Sequence, residues 1–112
     1  DHLRVALQAG PVLIENSFTE NLNLIRDEEA RRVVVGVTGE NKTVLIVFYD
    51  PESVFIGPLL KDMPKALELF GEKTGVVLAD AMNLDGGSAS AFYTSEVNLS
   101  EATPVGSFFC VK

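Results

Sequence analysis

Val76-Val77-Leu78-Ala79-Asp80-Ala81-Met82 runs directly into Asn83-Leu84-Asp85-Gly86-Gly87-Ser88-Ala89-Ser90. The first seven residues form an apolar run interrupted by one acid and read as a buried strand. An acid, two glycines and two hydroxyls therefore stand where a strand leaves the core. Adjacent glycines let the backbone turn through φ > 0 and approach a ligand without Cβ clashes. Successive N–H groups in such a turn can form an anion-binding concavity. Asp85, when ionised, only accepts hydrogen bonds, which suits sugar hydroxyls, a cation or a developing positive charge. The competing reading is a tight β-turn in which Asp85 caps local amides.

Upstream of this run, Leu59, Leu60, Met63, Ala66, Leu67 and Phe70 recur at helical spacing. Pro64 fits only a first helical turn, so either Asp62 is the N-cap or the helix starts earlier with a kink. Gly71 or Gly75 ends it. Asp50-Pro51-Glu52-Ser53 separates the helix from a hairpin. In that hairpin Arg32–Val37 is a β-branched strand, Thr38–Lys42 the turn and Thr43–Tyr49 the return. Its continuous apolar runs predict strands covered on both faces.

Residues 16–31 read as an excursion pinned by Leu22, Leu24 and Ile25. Before it come a short strand at Leu3–Leu7, a break at Gln8–Pro11 and an apolar run at Val12–Ile14. After the glycine turn, Ala89–Thr94 and Val105–Val111 read as two closing strands. The predicted class is α/β (mixed α+β): one domain over residues 1–112, a mixed β-sheet of about six to seven strands, and one main helix packed on a face.

The composition is that of a globular chain, 46% hydrophobic and 22% charged over 112 residues. Nine Lys and Arg against 16 Asp and Glu give a net charge of −7. That balance argues against nucleic acid or an anionic membrane surface as partner. A local basic pocket stays open, with Arg31-Arg32 the best candidate. No run is long enough to span a bilayer and no signal peptide is visible. The start at Asp1 rather than Met leaves room for an upstream segment. The single cysteine, Cys110, cannot form an intrachain disulfide and is expected as a small core residue rather than a nucleophile. Asn41-Lys42-Thr43 and Asn98-Leu99-Ser100 match the glycosylation sequon, which matters only in a secretory lumen.

Three segments together resemble one family. Gln8-Ala9-Gly10-Pro11-Val12-Leu13 is similar to its "QAGP-L" segment, Arg32–Val37 to its "R-apolar-G" strand, and Asn83–Ser90 to its "NLDGG-S-S" signature. The family is that of the phosphodiester glycosidases, which includes the N-acetylglucosamine-1-phosphodiester α-N-acetylglucosaminidases and bacterial proteins related to exopolysaccharide. Family domains are longer, with an N-terminal half carrying an Asn-Gly-rich motif. The resemblance thus implies the C-terminal portion of such a domain, as a fragment or cleaved product that associates with that half, or else a reduced member; the alternative to an enzyme is a non-catalytic carbohydrate or sugar-phosphate binding module. Ser88 stands where many members have a third glycine.

The resemblance implies hydrolysis of a sugar-1-phosphodiester, on a small molecule or a glycan, in a secreted, periplasmic or lumenal setting. Cleaving an anomeric C–O bond builds positive charge on the sugar ring, which a carboxylate can stabilise or attack. Asp85 is the residue expected in that role. The leaving phosphate needs donors. Arg32 is expected to supply bidentate contacts. The amides of Gly86, Gly87 and Ser88, with the Ser88 and Ser90 hydroxyls, would form a nest. Gln8, Gly10 and Asn83 are expected on the sugar side. Each has a plainer reading: Arg32 pairs with Glu28 or Glu29, Gln8 and Asn83 satisfy loop backbone, and Ser90 is an ordinary strand residue. Asp80 is either a second carboxylate or a strand-end residue in water, and His2 is an exposed residue near the terminus. No cofactor is expected. A divalent metal near Asp85 is the alternative, although no ligand cluster has metal-like spacing.

Overall fold

The structure, a computed structural model, describes residues 9–84, 86–105 and 108–111. The expected strand at Leu3–Leu7, and with it His2, Gln8 and Asp85, lie outside the described residues.

The first two strands of the described residues are β1 (Val12–Glu15) and β2 (Phe18–Thr19). They are joined by Asn16-Ser17, whose φ values of 50° and 70° are both positive. That is the backbone hand that matches strand twist in a two-residue hairpin. The excursion expected from residue 16 therefore begins only after β2. The turn is tied to the sheet by Asn16 N–H donating to Asp80 Oδ1 (3.1 Å) and Ser17 N–H to Ala79 O (2.8 Å).

The hairpin read from sequence is present as β3 (Arg32–Thr38) and β4 (Thr43–Phe48), with Arg32 opposite Phe48 and Val37 opposite Thr43. A 3-10 turn at Leu60–Asp62 leads into α1 (Met63–Thr74). Asp62 occupies the N-cap, Pro64 lies in the first turn, and Gly75 closes the helix with φ 77°. The Asp62 side chain makes no cap bond. The Asp27 carboxylate caps the preceding 3-10 turn instead, accepting from Leu60 N–H and Lys61 N–H at 2.9 Å each. Strand β5 (Leu78–Asn83) follows, then β6 (Phe92–Tyr93) and β7 (Asn98–Leu99).

The class is mixed α+β, with seven strands among the described residues divided between two sheets. The larger has the order β2-β1-β5-β3-β4 and pairs antiparallel throughout. The smaller is β6 with β7. Helix α1 covers one face of the larger sheet. Its Met63 and Leu67 join Leu13, Ile14, Val34, Ile46, Leu78 and Ala81 in the core.

Three expectations change. Strand β4 is a sheet edge in which only Ile46 is buried, so it is not covered on both faces. The closing partner of β6 is Asn98–Leu99 rather than the segment from Val105. A local turn decides this: Thr94 Oγ1 accepts from Glu96 N–H (3.1 Å) and Val97 N–H (2.8 Å) and folds the chain back at once. Val105 and Phe108–Val111 are exposed and outside any strand, so Cys110 is a surface thiol and not a core residue.

Candidate functional site at the end of the central strand

Strand β5 does not release the chain into solvent. Asn83 N–H donates to Pro11 O (3.0 Å), Leu84 N–H to Val33 O (2.8 Å) and Gly87 N–H to Arg31 O (2.8 Å). The motif after β5 therefore runs beside the start of β3. Only glycine fits at 86, because a Cβ there would stand 2.4 Å from Arg31 O. Gly87 has φ +60° and opens a 3-10 turn over Gly87–Ala89.

The same approach brings two predicted site residues together. Arg32 Cδ lies 3.7 Å from the position a Gly86 Cβ would take. The Arg32 side chain is nearly buried. Its Nε donates to Pro58 O (3.0 Å), and its Nη2 to Glu28 O and to Asp27 Oδ1 (3.4 Å). Its Nη1 makes no hydrogen bond to any described residue. The carboxylate partner is thus Asp27, not Glu28 or Glu29. Burial alone would raise the Asp27 pKa. The amides of Lys61, Leu60 and Glu28, with the Arg32 charge, outweigh it and hold the acid below its ordinary 3.8.

Asn83 is buried at 6% exposure, with Nδ2 at 3.4 Å from Gly10 O and with Oδ1 lacking a partner among the described residues. Gly10 enters through that carbonyl. Ser88 is exposed. Its carbonyl accepts from Ala102 N–H (2.8 Å) and Thr103 N–H (3.0 Å).

The sequence model of the phosphodiester glycosidases matches residues 1–112. The chain belongs to the phosphodiester glycosidase family. No curated protein and no solved structure matches it.

Two groups of the glycine turn are placed differently from expectation in this member of the phosphodiester glycosidase family. The Gly87 N–H, expected in an anion nest, is spent on Arg31 O. The Ser90 hydroxyl, expected as a ligand donor, is buried; it donates to Gly87 O (2.7 Å) and accepts from Arg31 Nε (2.9 Å). Both serve to close the turn, because a buried hydroxyl or amide must be bonded somewhere. Of the expected nest, the Ser88 hydroxyl lies 3.5 Å from Thr103 Oγ1, and the Gly86 and Ser88 amides make no hydrogen bond to another described residue.

Sequence reasoning grouped Arg31 with Arg32 as one basic pocket. Arg32 opens β3, whereas Arg31 lies just before it with its N–H donating to Phe55 O (2.8 Å), and the two side chains take different partners. Arg31 is fully buried. Burial pushes its pKa down, partly offset by Tyr93 and Glu101. Tyr93 Oη donates to Glu101 Oε2 at 3.0 Å. Glu101 lies below its usual 4.5 through its own backbone N–H, that phenol and the Arg31 charge. Among the described residues no three His, Cys, Asp or Glu side chains converge as a metal site. Two open clefts lie elsewhere, one of about 440 Å³ beside Tyr49 and Pro58 and one of about 370 Å³ between Phe48 and α1. Neither includes a residue of the glycine turn.

Proposed function

We propose that this chain hydrolyses the glycosidic bond of a sugar-1-phosphodiester at the turn following β5. Asp85 stabilises the anomeric centre, and Arg32 with the Gly86-Gly87-Ser88 turn holds the phosphate. The observation that carries the reading is the meeting of Arg32 with Gly86, 54 positions apart in the chain (86 − 32) and packed side by side. A guanidinium with Nη1 uncommitted to any described residue, next to a glycine backbone, is a donor set suited to a phosphate oxygen. Asn83 Oδ1, without a partner among the described residues, supplies an acceptor for a sugar hydroxyl. Family membership supports the reaction class.

The test is sugar release from a GlcNAc-1-phosphodiester by wild type and Asp85→Ala. Turnover by wild type, lost in a folded mutant, is the expected result. Absence of turnover across several sugars would sink the hydrolase reading. The position of β4 as an edge strand among the described residues favours a second one, a sugar-phosphate binding module completed by a further polypeptide segment. Binding without turnover would select it.

A further inference from the structure

We propose that Arg31 is a positioning residue for this site: its buried guanidinium clamps the Gly86–Ser90 turn in the shape that receives the phosphate. The inference rests on the turn being the phosphate-holding element, as proposed above.

The clamp is built from both ends of one residue. The backbone oxygen of Arg31 accepts from Gly87 N–H, and its Nε donates to Ser90 Oγ, which in turn donates to Gly87 O. These bonds form a closed ring around the 3-10 turn. The rest of the fork reaches outward. Nη2 donates to Ser90 O and to Ser100 O (2.8 Å), and Nη1 to Val54 O (3.3 Å). The guanidinium lies 4.7 Å from the Phe55 ring centroid. One side chain therefore joins the glycine turn, the end of the β6–β7 hairpin and the 50–58 loop.

The chemistry of the partners makes this an unusual choice for stability alone. Among the described residues no carboxylate is within ion-pairing distance of Arg31, although it is 0% exposed. Its hydrogen-bond acceptors are all neutral, with Glu101 acting on its charge only from beyond ion-pair distance, and a cation so placed costs more to bury than an apolar side chain of similar volume. What arginine alone provides is a rigid planar fork with five donors, able to reach several acceptors at once. Lysine keeps the charge but offers its three donors from one point, so it cannot hold the turn and the hairpin together. The requirement is thus for geometry rather than for charge.

The experiment compares wild type, Arg31→Lys, Ser90→Ala and the double variant. It reads amide exchange at Gly87 together with kcat and KM for a GlcNAc-1-phosphodiester. Loosening the ring is expected to speed Gly87 exchange and to lower kcat about tenfold or more, with a smaller change in KM, because misplaced groups fail in the transition state. The double variant should be no worse than the poorer single one, since both act through one ring. Wild-type kcat in a folded Arg31→Lys protein, or unchanged Gly87 exchange, overturns the proposal. If Arg31→Lys does not fold, Ser90→Ala, lacking one hydroxyl, carries the same readouts. A wild type without turnover refutes the hydrolase reading instead. Gly87 exchange and affinity for the uncleaved ester then decide the role of Arg31.

Discussion

A buried amide oxygen without a partner costs about 1–3 kcal/mol of folding free energy, and Asn83 Oδ1 has none among the described residues. A cost of that size at the end of the central strand is expected where a ligand supplies the missing bond. Asn83→Ala should leave the Tm unchanged or raise it while weakening binding of a sugar-1-phosphodiester about tenfold; calorimetric melting and titration of the same variant check both halves. A lower Tm with unchanged affinity would make Asn83 a scaffold residue. Gly86 offers the opposite test. A methyl group 2.4 Å from Arg31 O has nowhere to go, since the obstacle is backbone. Gly86→Ala should shift the turn, cost about 1–3 kcal/mol and reduce turnover about 100-fold. Chemical denaturation and steady-state rates measure the two effects separately. Neither residue's surroundings were legible in the sequence. Asn83 and Gly86 stood out as a motif, but the backbone that crowds them comes from positions 10, 11 and 31.

At the level of elements, legibility followed the kind of signal each one carries. Helix α1 and the β3–β4 hairpin were readable because apolar period and punctuation agree: Pro64 in a first turn, Gly75 at the C-cap, Asn41 at φ 62° in the hairpin turn. The β1–β2 hairpin was not readable, because its turn is Asn16-Ser17 and lacks the glycine that marks such turns. The β6–β7 pair escaped because one hydroxyl, Thr94 Oγ1, makes the turn, while the apolar segment from Phe108 to Val111 has the composition of a strand and no strand to join. Arg31 was read only as half of a basic pocket with Arg32, and its buried position was not legible, since a fully buried arginine runs against the usual preference of the residue. Two elements can be probed directly. Leu67, 2% exposed on the inner face of α1, should cost about 2–5 kcal/mol as Leu67→Ala in a urea titration. Asp27→Asn should lower the Tm and kcat together, because one carboxylate both caps the 3-10 turn before α1 and holds Arg32.

For the molecule as a whole, acid is the informative stress. Asp27 and Glu101 both have pKa values held below their ordinary 3.8 and 4.5. A depressed carboxylate binds fewer protons folded than unfolded, so its contribution is complete above the ordinary value. It is lost as pH falls through the lowered one. Stability should therefore be flat from neutral pH down to about 4.5 as far as these two groups decide it, and fall below. Asp27→Asn should flatten part of that acid limb in a series of melts. A limb identical to wild type would remove Asp27 from the account.

The sheet order β2-β1-β5-β3-β4 also dictates how the protein must be put together. The β1–β2 and β3–β4 hairpins pair neighbours along the chain and can form as soon as they are made. They cannot meet, because the strand between them, β5, is synthesised after both and after α1. Contacts of this span are slow to form, since chain closure comes before any reward. Until β5 arrives, two apolar hairpins wait uncovered, and that interval is when a growing chain is open to misassembly. The glycine turn leaves the ribosome directly behind the strand that completes the sheet. Sheet and turn thus come together in one late event, and an unfinished chain offers no partly built site to a passing ligand.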